Sequence, residues 1–282
     1  MKVLSVQVDT ETGKVERNYE RAFVMLEAGL KLYEPDVVLF PEGFASYLAS
    51  TDMTAFAEDV PGATTERFCR YSKDHDVMIA FGLIRRDPKG RGMYNTIVLI
   101  DRGQIIGLYD KTHLTVDHRP GLSELKNESR MFLPGEKLGL FDTRFGRLGI
   151  LICHDGEYPE VWRCLALEGA RAIFWLMNCG DASATARSQA RWNAIPVFTC
   201  NKVYRHEDGD RRNGCSIHVD AAGETLDLAG AAESFVYSDV DLDKQMQYRR
   251  DGVTSLANAF VIRRPELYGA IVRPTTSRDP SA

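Results

Sequence analysis

Leu148-Gly149-Ile150-Leu151-Ile152-Cys153-His154-Asp155-Gly156-Glu157-Tyr158-Pro159-Glu160 is the stretch on which the fold turns. Its first five residues form a continuous apolar run with no polar alternation, the pattern of a strand covered on both faces. The run stops at Cys153, and a helix carrying Val161, Cys164, Leu165 and Leu167 follows it. A buried strand that gives way to a helix is the unit of an α/β fold.

The same order recurs outward from this stretch. Val3 to Val8 reads as a first strand, and Val15 to Tyr33 places Tyr19, Phe23, Leu26, Leu30 and Tyr33 at helical spacing. Val37-Val38-Leu39-Phe40 then forms a short buried strand ending at Pro41. A helix is expected over Thr64 to His75 and a strand over Val77 to Phe81. Met93 to Ile100 and Gln104 to Tyr109 flank Asp101-Arg102-Gly103 as a hairpin. Downstream, Ala172 to Leu176, a helix from near Ser183 to Ile195, and Val197 to Cys200 repeat strand, helix, strand. Further strands are expected at Ser216 to Val219 and Phe235 to Leu242, on either side of Ala221-Ala222-Gly223. Lys111 to Gly135 is polar and without period, the mark of a long functional loop. No linker-like break or short repeat interrupts the 282 residues, so one domain is the simplest reading.

Composition sets the class of partner. With 44% apolar residues, 27% charged residues and a formal charge of −5, the chain reads as a soluble globular protein, and a nucleic-acid-binding surface is not expected. No segment approaches the ~20 apolar residues of a membrane span. The N-terminal Met1-Lys2-Val3-Leu4-Ser5 turns polar at once, unlike a secretory signal. The six cysteines include no C-x-x-C pair, which points to reduced thiols in the cytoplasm, with Cys164, Cys179, Cys200 and Cys215 as small core residues.

Glu42, Lys111 and Cys153 each stand just beyond the end of a predicted strand. In α/β sheets ligands gather at the carboxyl ends of strands, so a carboxylate, an ammonium and a thiol can converge there. Chemically the three suffice for nucleophilic catalysis: Glu42 takes the thiol proton, Cys153 attacks, and Lys111 with the backbone N–H after the nucleophile stabilises an oxyanion. Singly each is commonplace: a thiol after an apolar strand is more often structural, and Glu42 and Lys111 alone would be surface charges.

The flanking residues resemble those of the nitrilase, or carbon-nitrogen hydrolase, superfamily in order and spacing. Asp36-Val37-Val38-Leu39-Phe40-Pro41-Glu42 is similar to its strand ending in Pro-Glu, and Tyr109-Asp110-Lys111-Thr112-His113-Leu114 to its Lys-x-His-Leu segment. Cys153-His154-Asp155-Gly156-Glu157-Tyr158-Pro159-Glu160 resembles its nucleophile elbow in the amidase-like form. Glu128, six residues before Pro134-Gly135, matches the second glutamate, which holds the lysine. Asn193, Asn201 and the ending Arg263-Arg264-Pro265-Glu266-Leu267-Tyr268 fit as weaker landmarks.

The resemblance implies an α/β four-layer α-β-β-α sandwich, with residues 1–270 as the hydrolase domain and 271–282 as a tail. It implies a thioester acyl-enzyme on Cys153, with Glu42, Lys111 and Glu128 as the other catalytic residues. No metal and no organic cofactor are implied, and assembly as a homodimer or larger homo-oligomer is. Many relatives that act on carboxylate-bearing substrates have arginine four residues after the nucleophile, where this chain has Glu157. A small neutral or cationic amide is therefore the expected substrate, with His154, Glu157 and Asn178 as substrate-binding residues. An equal reading of Glu157 is that it caps the following helix. Nitrile or N-carbamoyl-amine hydrolysis, and a catalytically silent scaffold, are the alternatives. His113 and His154 lack metal-ligand spacing, and Glu207-Asp208-Gly209-Asp210 lacks a calcium-loop pattern.

Overall fold

The computed structural model describes residues 1–46, 53–116, 127–204, 213–250 and 260–273. The expected elements form in chain order. The first half contains β1 (Lys2–Gln7), β2 (Asp9–Thr10), α1 (Val15–Tyr33), β3 (Val37–Leu39), α2 (Ala63–Asp74), β4 (Met78–Arg86), β5 (Met93–Asp101) and β6 (Gln104–Asp110). The second contains β7 (Gly139–Thr143), β8 (Gly146–Ile152), α3 (Pro159–Leu167), β9 (Ala172–Met177), α4 (Ser183–Asn193), β10 (Val197–Asn201), β11 (Val203–Tyr204), β12 (Ile217–Val219), β13 (Thr225–Leu228), β14 (Ser234–Asp239) and α5 (Leu242–Arg250).

Two six-stranded sheets result, in the orders β14-β1-β3-β4-β5-β6 and β13-β12-β10-β9-β8-β7. In each, three consecutive strands run parallel: β1-β3-β4 and β8-β9-β10. The alternation of strand side chains then writes out the layers. Val37, Leu39, Met78 and Ala80 of one sheet join Leu148, Ile150, Ile152, Phe174 and Leu176 of the other in a single buried cluster between the sheets. The intervening residues point outward: Val38, Ile79 and Phe81 pack with Phe23, Leu26 and Phe68 of α1 and α2. Leu151, Ile173 and Trp175 pack with Trp162, Leu165, Ala186 and Ala190 of α3 and α4. That is an α-β-β-α sandwich, and it explains the unbroken apolar runs in the sequence, since these strands have no wet face. Each fully buried leucine or phenylalanine in these clusters contributes about 1.5–3 kcal/mol.

Several elements differ from expectation, among them the short strands β2 and β11, which no sequence pattern marked. The strand expected over Phe235 to Leu242 stops at Asp239, because Leu242 opens α5, whose mostly polar surface carries little helical periodicity. The β13 edge strand was not foreseen either; its residues are mostly exposed and lack a buried alternation. The cysteines also need correction: only Cys200 is buried, Cys164 is exposed on α3, and Cys179 and Cys215 are half-buried. Part of the long loop after Lys111 (117–126), the Glu207 to Arg212 stretch and residues 274–282 of the tail lie outside the described residues.

His218 fastens the two sheets together. From β12 it shares hydrogen bonds with Ser5 Oγ of β1 (2.8 Å) and Ser238 Oγ of β14 (2.8 Å), and it is fully buried. Burial lowers its pKa from 6.5 to about 3, so the ring is neutral in the fold. Between those two values the unfolded chain binds a proton that the folded chain refuses, so stability falls as pH drops below 6.5. We expect roughly 4–5 kcal/mol of acid-dependent loss from this residue by pH 3. Denaturant titrations at pH 7 and pH 4 should show a smaller pH dependence in His218→Gln than in the parent.

Candidate active site

The carboxyl ends of β3, β8, β9 and β10 deliver Glu42, Cys153, Asn178 with Cys179, and Lys202 to one end of the sandwich. Glu42 lies three residues past β3, in a turn that sits hard against β4. A Cβ on Gly82 would come within 2.2 Å of the Gly43 nitrogen and 2.8 Å of Glu42 Cα, so only glycine allows this approach. Lys111 leaves β6 and its Nζ reaches Glu42 Oε1 at 3.0 Å and Glu128 Oε2 at 2.8 Å. All three side chains are about 1% exposed. Glu128 is brought back onto the Lys111 segment by two bonds to Thr115: the Thr115 N–H donates to Oε2 (2.8 Å), and the Glu128 N–H donates to the Thr115 carbonyl (2.9 Å).

Asn95 completes the cluster. Its Nδ2 donates to Glu42 Oε1 at 2.7 Å and to Glu128 Oε1 at 3.3 Å, fixing both carboxylates against the same ammonium. Burial, more than any other cause, pushes the Glu42 carboxyl above its ordinary value; the Glu128 charge adds to this and Lys111 opposes it. A raised carboxylate that is still held by an ammonium is a competent general base.

Cys153 occupies a strained turn. Its φ is +41°, the left-handed region that non-glycine residues seldom enter, and it begins the 3-10 turn Cys153–Glu157 directly after β8. Two indoles hold that turn by its carbonyls: Trp175 Nε1 donates to Cys153 O and Trp162 Nε1 to Gly156 O, both at 2.9 Å. A Cβ on Gly156 would fall 2.3 Å from the Trp175 ring, so the turn can pack this closely only with glycine there. The Cys153 thiol is pushed well above its usual value by the neighbouring Cys179 thiol, then by burial and by the Glu42 charge, with Lys111 opposing. At rest the nucleophile candidate is therefore a thiol beside a base, not a preformed thiolate.

Asp155 ties this turn to the Lys111 segment. Its Oδ2 accepts the Ile152 N–H (3.0 Å) and the Tyr109 hydroxyl (2.7 Å), while Oδ1 accepts the His113 N–H (2.9 Å) and the Thr112 hydroxyl (3.0 Å). Burial works against its charge, and the bonds from His113, Tyr109 and Ile152 outweigh it, keeping the carboxyl below the usual range. Asp155→Asn turns one acceptor into a donor facing these donors. We expect about 2–4 kcal/mol of destabilisation and a ~10²-fold lower kcat, measured by denaturant melts and steady-state kinetics.

The structure thus brings Glu42, Lys111 and Glu128 into direct contact, with Cys153 inside their field. The three expected substrate-binding residues lie outside this hydrogen-bonded cluster. His154 is half-buried, 3.4 Å from the Tyr158 hydroxyl. Glu157 is exposed and makes no hydrogen bond or ion pair with a described residue; the helix-capping alternative is not realised, since Tyr158 takes the N-cap position of α3 without a side-chain cap. Asn178 is half-buried and its Oδ1 accepts a bond from Asn213 Nδ2 at 2.8 Å. Among the described residues no group of three or more His, Cys, Asp or Glu side chains is arranged to hold a metal ion.

Sequence reading missed Asn95, Lys202 and the placement of Cys179. Asn95 had a signal, an amide in the middle of an otherwise apolar strand. Lys202 had one too, a lysine directly after the buried β10; it is 2% exposed, and burial lowers its pKa to about 8 against the opposing charges of Glu42 and Cys153.

A four-layer α-β-β-α sandwich with a buried Glu-Lys-Glu cluster beside a strained cysteine defines a class of cysteine-dependent hydrolase. The profile of the Carbon-nitrogen hydrolase family matches residues 2–250, and the chain belongs to that family. Its relatives include omega-amidase NIT3 of Saccharomyces cerevisiae, 28% identical over 89% of this chain and 90% of that one. Human omega-amidase NIT2 is 29% identical over 82% of this chain and 84% of its own. The crystal structure of Saccharomyces cerevisiae Nit3, a member of branch 10 of the nitrilase superfamily, superposes with a TM-score of 0.77 at 26% identity, covering 90% of this chain and 95% of that one. A carbon-nitrogen hydrolase from Helicobacter pylori G27, at 23% identity, shares the fold with a TM-score of 0.83 over 97% and 99% of the two chains. No helix among the described residues is long and apolar enough to cross a membrane.

Proposed function

We propose that this carbon-nitrogen hydrolase cleaves the C–N bond of a small amide through a thioester on Cys153. The observation that carries the reading is the buried contact of Lys111 Nζ with Glu42 and Glu128 beside the Cys153 turn. The amide class is supported by the omega-amidases and by an (R)-stereoselective amidase of Pseudomonas, 29% identical over 89% of each chain.

Glu42 takes the Sγ proton as Cys153 attacks the amide carbon, which is why its raised pKa matters: a weaker acid is a better acceptor. Lys111, already between two carboxylates, and the backbone N–H after the nucleophile receive the negative oxygen of the tetrahedral intermediate. Glu42 then returns its proton to the leaving nitrogen, and ammonia or an amine departs. Water, deprotonated by the same carboxylate, attacks the thioester and releases the acid, restoring the thiol. Glu128 and Asn95 keep Lys111 and Glu42 in register throughout.

His154, Glu157 and Asn178 are the residues to which we assign substrate contact, and Glu157, exposed on the turn after Cys153, is the reason we assign a neutral or cationic amide. The six free thiols support a cytoplasmic setting. Self-association is supported by the apolar surface left open on α3 and α4, where Trp192, 56% exposed, lines the same groove as Leu167. The hydrolase domain is taken to run to residue 270, with 271–282 as its tail.

A panel of neutral, cationic and carboxylate-bearing amides, carbamoyl amines and nitriles, followed by ammonia release, tests the reading. Turnover of neutral or cationic amides above the others is the expected result. Preference for a carboxylate-bearing amide would overturn the charge assignment alone, and turnover confined to nitriles or carbamoyl amines would overturn the amide assignment.

A further inference from the structure

We propose that Cys153 and Cys179 form an oxidisable dithiol, in which a hydroperoxide converts the nucleophile into a reversible intramolecular disulfide with Cys179. The proposal rests on Cys153 being the nucleophile for its consequence, though not for its chemistry.

The fold places the two thiols together by strand register. β8 and β9 are parallel neighbours with Ile152 opposite Leu176, so Cys153 and Cys179 leave adjacent strand ends into the same turn region. The Cys179 thiol is the strongest influence on the Cys153 thiol, and neither cysteine is in a disulfide. Cys179 Sγ donates to Gly180 O at 3.4 Å and to Met177 Sδ at 3.8 Å, long bonds that do not lock it in place. Asn201 anchors the Cys179 backbone from both sides, accepting its N–H at 3.2 Å and donating to its carbonyl at 2.8 Å. Both cysteines are half-buried, so a small peroxide reaches them.

The chemistry balances. Cys153 gives its proton to Glu42, and the thiolate attacks the near oxygen of the hydroperoxide; an S–O bond forms and the O–O bond breaks. The alkoxide or hydroxide leaving group takes the proton from Glu42, so one alcohol or water is released and Cys153 becomes a sulfenic acid. Cys179 sulfur then attacks Cys153 sulfur, the S–O bond breaks, and the hydroxide leaves with the Cys179 proton as water. Two thiols lose two electrons and the peroxide gains them. The burial and the base that prepare Cys153 for amides also prepare it for this step, and the disulfide removes the nucleophile.

The test is hydrogen peroxide treatment of the full chain, alkylation of remaining thiols, and peptide mapping without reduction. A mass loss of about 2 Da with a Cys153–Cys179 cross-linked peptide is expected, with at least a ~10-fold loss of amide turnover that dithiothreitol restores. In Cys179→Ala, relative to its own starting rate, the loss should not be restored, because Cys153 proceeds to oxygenated forms. Oxygen added to Cys153 without the cross-link, a different cysteine pairing, or equal recovery in Cys179→Ala overturns the proposal. The map needs no variant, so a poorly folding Cys179→Ala does not shield it. Because the cross-link is read by mass, its absence with Cys153→Ala inactive sinks the dithiol alone, whereas turnover surviving in Cys153→Ala sinks the nucleophile assignment.

Discussion

Cys153→Ala is expected to reduce kcat/KM for the best amide by at least ~10⁴-fold while leaving the fold within about 1 kcal/mol of the parent. The size of the first effect follows from chemistry: without sulfur there is no acyl-enzyme, and the remaining groups can only polarise the amide. The small second effect follows from the position. The side chain is short and half-buried, and the turn is held by backbone carbonyl bonds from Trp175 and Trp162 that the substitution leaves alone. Steady-state kinetics with a denaturant melt of the same preparation separates the two.

Lys111→Met is expected to damage both stability and activity. Its ammonium is the shared partner of two carboxylates at 3.0 and 2.8 Å in a dry setting. Removing one partner of a buried ion pair costs about 3–5 kcal/mol, because the charge left behind has neither water nor counterion. Here two such charges remain, and the cluster relieves them by taking up a proton. Glu42, already raised by burial and by Glu128, is pushed further up once Lys111 no longer opposes them, and it becomes a poorer resting acceptor for the thiol proton. A ~10³-fold loss of kcat is expected from that and from the missing oxyanion partner. Adding Glu128→Gln to Lys111→Met removes one of the stranded charges and should recover part of the stability without the activity. Coordinate recovery of both would contradict the assigned role of Lys111.

How much of this was legible in the chain depends on the distance over which each feature is encoded. The strands β3, β8 and β9 could be read because both of their faces are buried, so residues such as Leu148, Ile150 and Leu151 must all be apolar. Helix α1 could be read for the opposite reason, since one face is wet and its apolar residues fall at helical spacing. Glu42, Lys111 and Cys153 were legible as candidates because each ends a recognisable strand, but nothing local says that Lys111 touches Glu42. That contact spans 69 residues and exists only through the β3-β4-β5-β6 order.

The misses have the same origin. Cys179 was expected to be a small core residue, and what brings its strand end beside that of Cys153 is the parallel register of β8 and β9, which no local pattern encodes. Asn95 reads as an oddity in an apolar strand until the structure shows two carboxylates facing its amide. Asp155 belongs to a recognisable motif, yet its task of joining the nucleophile turn to Tyr109, Thr112 and His113 appears only once β6 and β8 are folded into separate sheets. Helix α5 was missed because its polar composition gives propensity little apolar spacing to work with.

Whether Cys153 carries the acyl group is decided by intact mass on protein quenched in acid during turnover of its best amide. One acyl group per chain is expected, mapped to Cys153, that disappears as substrate is exhausted and never forms in Cys153→Ala. An acyl group on another residue, or full turnover in Cys153→Ala, would contradict it.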